Sequence, residues 1–320
     1  FYGSILGIIY SMLVLIGNGV HPIINNGRPA DFDVLIFTWM MAAWECAFSI
    51  LFLFIEKRSG QLHYLGRQGR SISGHFKATT FRLVIIGLIF TVATYYYVLG
   101  LSLAGSISGS IALKTSPIYA MLIGAFFLNE KVSKSSIFLT AFMLLGLYYM
   151  ATAGTFQFGE FNRGVGMLLV VPLLWGIGHA IGRVLLKNGL ASTVEIIFVR
   201  TAIVFGIIFG ISLRVNGWNE ILRLLSSPVH LFFGAAMGIM YFFMHYGWYK
   251  SITTIDLGFA SALVIPSPAI TVILAIWISK EPLYSYQIIG MVVMFVGLYA
   301  MLYIQFRGEK RKEKKISNTS

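Results

Sequence analysis

The sequence predicts an all-α integral membrane protein with ten transmembrane helices, arranged as two inverted five-helix repeats. Three observations lead there. First, apolar residues make up 57% of the 320 residues and charged residues 11%, with a mean hydropathy of +0.80. A soluble domain carries roughly 25% charged and about 45–50% apolar residues, so there is too little polar surface here to coat a water-exposed globule. That excludes a soluble enzyme, a secreted disulfide scaffold and a disordered regulator. Second, the apolar residues fall into ten runs, each near the roughly 20 residues a helix needs to cross a hydrocarbon core of about 30 Å. Third, the second half of the chain repeats the first.

The first run, 2–24, has no basic start and no small-residue cleavage site, and reads as a helix that stays. Asn25-Asn26-Gly27-Arg28-Pro29 ends it, and the second run, 32–55, carries Glu45 midway. Residues 83–113 contain no Asp, Glu, Lys or Arg, which is too long a stretch for one span. A split at Leu101-Ser102-Leu103 gives the third and fourth runs, 80–101 and 103–128, and the fifth is 135–152. The sixth, 164–186, is followed by Asn188-Gly189, and the seventh is 193–213. Ser226-Ser227-Pro228 precedes the eighth, 229–250, and the ninth and tenth are 255–279 and 283–305. The expected units are therefore 1–153, 154–305 and a basic cytoplasmic tail, 306–320.

The net charge of +12 is concentrated in 56–77 and 307–315, both beside long apolar runs. Juxtamembrane bases of this kind set topology and attract anionic lipid. They come without an aromatic-interleaved groove or zinc-finger spacing, so no nucleic-acid partner is expected. With the N-terminus inside, seventeen Lys and Arg lie on the inner side and five on the outer, while Lys114 and Arg200 fall within spans. The expected location is the cell membrane, multi-pass, with both termini cytoplasmic. The single cysteine, Cys46, reads as a packing residue.

Shifted by 151, residues 87–150 overlay 238–301 without a gap. Gly87 meets Gly238, Tyr95 meets Tyr246, Ser116-Pro117 meets Ser267-Pro268, Glu130 meets Glu281, and Gly146-Leu147-Tyr148 meets Gly297-Leu298-Tyr299. Earlier helices align at 159 to 161, as Gly7 does with Gly166 and Ile36-Phe37 with Ile197-Phe198. Five spans per unit is odd, so the second unit must enter the membrane from the opposite side. Inverted repeats recur in secondary transporters, with the solute near the midplane where the repeats meet.

Lys114-Thr115-Ser116-Pro117, Leu128-Asn129-Glu130-Lys131 and Gly146-Leu147 resemble an EamA module, as do Pro268, Lys280-Glu281-Pro282 and Gly297-Leu298. Two modules in tandem are similar to the ten-helix permeases of the drug/metabolite transporter superfamily, over roughly 5–305. The resemblance implies alternating access around a site built from the first, third, fourth, sixth, eighth and ninth spans. It specifies the fold well and the solute poorly, since members move amino acids, nucleobases, nucleotide sugars, phosphorylated sugars and drugs. Arg200 fits an arginine often seen early in a module's second helix, but its repeat counterpart here is Trp39.

A charge at a helix centre costs roughly 2.5–3.5 kcal/mol on insertion scales, so intramembrane charges are candidate site residues. Lys114 is the expected partner of an anionic group on the solute. Tyr95, Tyr96, His245 and Tyr246 are its expected walls, with Asn18, Trp175 and His179 as further contacts. Tyr241, His245 and Trp248 or Tyr249 share one helix face by spacing. Glu45 is the coupling candidate, or else the fixed counter-ion of Lys114 or Arg200. Pro117 and Pro268 are the expected gating kinks, because proline removes a helical hydrogen bond. Glu130 and Glu281, at span ends, suit helix-end roles.

The function expected is a secondary transporter of a small organic metabolite, amino acid-like or anionic, and not an enzyme. The alternatives are an intramembrane enzyme or a channel-like protein. Asp31, Asp33 and Asp256 are too sparse for a diphosphate-binding prenyl transferase. Gly105-Ser106-Ile107-Ser108-Gly109 misplaces the first glycine of an intramembrane serine protease, and no Walker A loop occurs. No cofactor or metal is called for. The expected partners are the solute and membrane lipid. Small-residue spacings such as Gly206 with Gly210 serve packing first and a homodimer second.

Overall fold

The computed structural model describes residues 2–60, 62–65, 73–116, 118–119, 134–255 and 257–317. Regular elements among them are all helical. The first module contributes α1 (Tyr2–Gly27), α2 (Val34–Arg58), α3 (Ser73–Ala104), α4 (Ser106–Ala112) and α5 (Lys134–Ala151). The second contributes α6 (Arg163–Lys187), α7 (Thr193–Leu225), α8 (Pro228–Thr254), α9 (Leu257–Val264), α10 (Ser267–Leu274) and α11 (Ser285–Ser317). Local chemistry starts several of them. Asp33 accepts from the Leu35 and Ile36 amides at 2.9 and 3.1 Å to open α2, and Asn162 does the same for α6. Ser192 and Glu195 form a capping box on α7, and Pro228 takes the first turn of α8.

Eight stretches of the described residues are long and apolar enough to cross a membrane, and α5 adds a shorter apolar helix, Ile137–Ala151. Among the described residues, the ten expected runs thus correspond to eight long spans and one short helix. The remaining run is the fourth, 103–128, whose described part is broken. The break falls at Gly105, where φ is +78°, rather than at Leu101-Ser102-Leu103. Glycine alone enters that region without a Cβ clash, and hydropathy does not see it. α4 then passes into a 3-10 turn at Leu113–Thr115, and residues 120–133 lie outside the described residues. The ninth run is also divided, between α9 and α10 at Ile265–Pro266, and a π turn, Ala275–Ser279, follows α10. The seventh runs on to Leu225, bending at Gly217 (φ +77°).

The outer surface is apolar: Trp277 is 76% exposed and Phe138 69%. Such faces are covered at no cost only by lipid. α3 packs along α6 and α1 along α8. α2 lies on α7 and α8, α7 on α3, and α5 on α11. Exchanging each helix for its repeat counterpart maps this set of pairings onto itself. The close approaches follow the same exchange. A Cβ on Gly87 would lie 2.5 Å from Ile203 of α7, and one on its counterpart Gly238 would lie 2.3 Å from the Met41 carbonyl of α2.

The helices define two ends. Loop 28–33, the α3–α4 break, and the starts of α6, α8 and α11 share the first end. The ends of α2, α6 and α8 share the second.

Candidate functional site

α2, α7 and α8 meet at Glu45, Arg200 and His245, which are 3%, 1% and 3% exposed. Arg200 Nη2 donates to Glu45 Oε1 in a short ion pair. His245 Nδ1 lies 3.1 Å from the same oxygen and 2.9 Å from the Tyr241 carbonyl. Both neighbours accept, so the bonding pattern assigns the proton to Nδ1. The Arg200 guanidinium also stacks 4.3 Å from the Phe90 ring of α3.

Rings extend the cluster on both sides. Towards α6, His179 is 6.2 Å from His245, 5.2 Å from Tyr249 and 6.0 Å from Trp248. Towards α1, Tyr241 is 4.6 Å from His245 and stacks on His21 at 4.6 Å. Tyr97 Oη lies 3.2 Å from His21 Nδ1, and its ring packs on Trp175. Six helices, three from each module, therefore enclose one polar centre. Eight buried side-chain atoms along it have no partner among the described residues: His21 Nε2, Trp175 Nε1, His179 Nδ1, Arg183 Nε, Arg200 Nη1, Tyr241 Oη, Trp248 Nε1 and Tyr249 Oη. An unmet buried polar group costs about 1–3 kcal/mol, so a cluster of them marks a place built to meet something else.

Of the residues expected from sequence, Glu45, His179, His245 and Trp175 converge here. Tyr241, His245 and Tyr249 do share one face. Glu45 is the counter-ion of Arg200 and not of Lys114. Lys114 lies half-buried in the 3-10 turn after α4, with φ −87° and ψ 18°, and makes no ion pair among the described residues. Tyr95 and Tyr96 are half-buried beside each other, 6.3 Å apart. Tyr246 packs away from the centre against Phe52 and Tyr10. Asn18 is half-buried on α1, one turn before His21. Pro268 sits in the first turn of α10, just after the break, and Pro117 lies outside the described residues. Arg200, His21 and Tyr97 were not among the expected contacts. Arg200 had a readable signal, since it and Glu45 are opposite charges in separate apolar runs.

A polar latch closes the first end. Asn26 Nδ2 donates to the Leu101 carbonyl and to Ser106 Oγ, each at 3.0 Å, and Arg28 Nη2 donates to Ser102 Oγ at 2.9 Å. Glu281 accepts from the Ser106 and Ile107 amides at 3.2 and 3.3 Å, capping α4 from the other module. Asp31 accepts from Arg223 at 3.1 Å, and that hydrogen bond holds its carboxyl below the usual range.

Compared with known families, the chain matches the model described as "EamA-like transporter family" twice, over residues 5–152 and 162–303. No curated protein matches it. A solved structure described only as a crystal structure of a protein superposes with a TM-score of 0.63 at 14% identity, covering 94% of this chain and 97% of that one. At that identity the likeness concerns the fold alone.

Proposed function

The chain belongs to the EamA-like transporter family, a multi-pass membrane family of the drug/metabolite transporter type, and on that premise we propose that it is a secondary transporter of a small organic solute working by alternating access. The observation that carries this reading is the buried polar centre enclosed by three helices of each module, with eight polar atoms unmet among the described residues. A structural core would pair such groups or omit them; a solute site exposes them in turn to each side.

The exchange symmetry of the helix pairings, with five spans per unit, supports an inverted arrangement of units 1–153 and 154–305, and the excess of Lys and Arg on the inner side supports cytoplasmic termini. In that frame the second end faces the cytoplasm and the latched first end faces outward. Opening it requires α1 to leave α3 and α4. The Gly105 break, the Ile265–Pro266 break before Pro268, and Pro117 are the proposed bending points. Glu45 is the proposed coupling group. Its carboxylate is shared by Arg200 and His245, so a proton arriving there would release both. Lys114 remains a proposed solute contact, carried on the 3-10 turn that packs against α6.

Counterflow in proteoliposomes tests the reading. Vesicles loaded with one metabolite of a pool should accumulate labelled copies of it transiently, and Glu45→Gln should alter the dependence on a proton gradient. Failure of every pool to exchange would overturn transport.

A further inference from the structure

The α6 face that meets the polar centre does not end at His179. Arg183 and Lys187 follow at intervals of four, so three cation-capable side chains stand one above another towards the second end. Arg183 and Lys187 line a hollow there with Leu186 and the end of α8, residues 252–255, and among the described residues no carboxylate lines it. Arg183 is half-buried, and its Nε is sealed from solvent without an acceptor. Tyr249 packs over Gly182, at the level between Arg183 and His179, with its hydroxyl unpartnered. Beyond it is Arg200, one amino group taken by Glu45 and the other, Nη1, facing no acceptor.

The chemistry of the unmet atoms is lopsided: six of the eight are N–H or O–H groups, while His21 Nε2 and His179 Nδ1 donate or accept according to tautomer. Arg183 Nε, Arg200 Nη1 and the indole nitrogens of Trp175 and Trp248 can only donate, and the tyrosine hydroxyls can also donate. What would satisfy this route is an acceptor-rich group. The charges agree: Lys187 is exposed at the mouth, and among the described groups further in, two guanidiniums stand against the carboxylate of Glu45, which leaves one positive charge for a monoanion to cancel. A dianion would overshoot, and a neutral amide would leave the charge unmet. The walls, Phe90, Trp248 and Tyr249, suit a flat apolar body.

We propose that the hollow and the Arg200 side of the polar centre form one route for a small organic monocarboxylate, gathered by Arg183 and Lys187 and received by Arg200 Nη1, with Tyr249 as the barrier between. This rests on the transporter reading and adds the chemical class of its solute.

The test uses the full chain in nanodiscs, with phenylacetate, phenylacetamide and phenyl phosphate as probes and tryptophan fluorescence as readout, since Trp175 and Trp248 lie on the route. Phenylacetate should half-saturate at a concentration about tenfold or more below that of the other two, as loss of one charge-assisted hydrogen bond implies. Arg183→Gln, at the rim, should remove most of that preference without unfolding the protein, and Arg200→Lys should weaken phenylacetate while keeping a cation beside Glu45. Equal responses to acid and amide, a stronger response to the phosphate, or a preference untouched in both variants would overturn the proposal. Counterflow of labelled phenylacetate and phenylacetamide is measured separately. Exchange of both without preference removes the anion route and leaves transport standing. Acid-selective binding without exchange supports the anion site and counts against transport.

Discussion

Glu45 and Arg200 hold each other in place because neither charge has another full partner in the bundle interior. Removing one partner of a buried pair is expected to cost about 3–5 kcal/mol, because the other charge is then stranded. Arg200→Gln should therefore lower the melting temperature in detergent sharply. Glu45→Gln should cost a similar amount, since it strands the Arg200 guanidinium, which cannot shed its charge. The double variant Glu45→Gln with Arg200→Gln should be more stable than Arg200→Gln alone. Additive losses would show that the pair is not coupled as the geometry requires. A second prediction concerns pH at the first end. Arg223 lowers the Asp31 carboxyl pKa in the folded protein. A depressed carboxylate contributes stability above its unfolded value of 3.8 and loses it as pH falls through the lower folded value. Thermal stability of the native protein should thus fall more steeply with acid below that point than stability of Asp31→Asn. Parallel curves would remove Asp31 from the acid response. Asp31 is exposed, so the difference should be small and should shrink with salt.

At the scale of helices, the close crossings decide where side chains are tolerated. A Cβ on Gly238 would press on the Met41 carbonyl at 2.3 Å and on the Glu45 amide at 3.0 Å, so the strain falls on the backbone that carries Glu45. Gly206 has nothing within 4 Å. Gly238→Ala should cost about 1–3 kcal/mol, the usual range for overpacking, and should disturb any solute response. Gly206→Ala should leave both unchanged. Similar melting temperatures for the two would contradict the α2–α8 crossing. The same crossings show what the sequence made legible. Gly87 and Gly238 were matched by the repeat alone, and they do the same work against α7 and α2. The long spans were legible because lipid imposes one simple demand, some 20 apolar residues. The breaks were less so. Gly105 sits inside an apolar run, and its φ, not its hydropathy, ends the helix. Nor could the sequence choose among Tyr95, Tyr96 and Tyr97. Three adjacent tyrosines point three ways on a helix, and only packing against Trp175 and His21 brings Tyr97 into the centre. Lys114 was the sharpest charge in the sequence. In the fold it lies in a 3-10 turn, because the fourth run is broken rather than straight.

For the whole molecule, the two ends differ in a way the repeat does not require. The charged centre is itself asymmetric: the counterpart of Arg200 is Trp39, whose indole donates to Ser212 at 3.2 Å. One half thus supplies the carboxylate and the other the cation, and the two halves cannot trade roles during a cycle even where their helices do. The first end is tied by side chains, α1 to α3 and α4 through Asn26 and Arg28, and α4 to the second module through Glu281. The second end holds a hollow between α6 and α8. If transport needs each end to open in turn, fixing the tie must stop it without touching the centre. Arg28 and Ser102 suit this test, since Ser102 is exposed and the Arg28 guanidinium reaches it at 2.9 Å. In a Cys46→Ser background, Arg28→Cys with Ser102→Cys should exchange solute while both thiols are free. A short bis-methanethiosulfonate bridge should abolish counterflow, and reduction should restore it. Each single-cysteine variant, treated alike, controls for modification without bridging. Solute binding measured by tryptophan fluorescence should survive the bridge, because the hollow at the second end stays accessible. Counterflow that continues at full rate through a bridged first end would mean that α1 and α3 never separate, and a rocking cycle about the central site would then have no place in this fold.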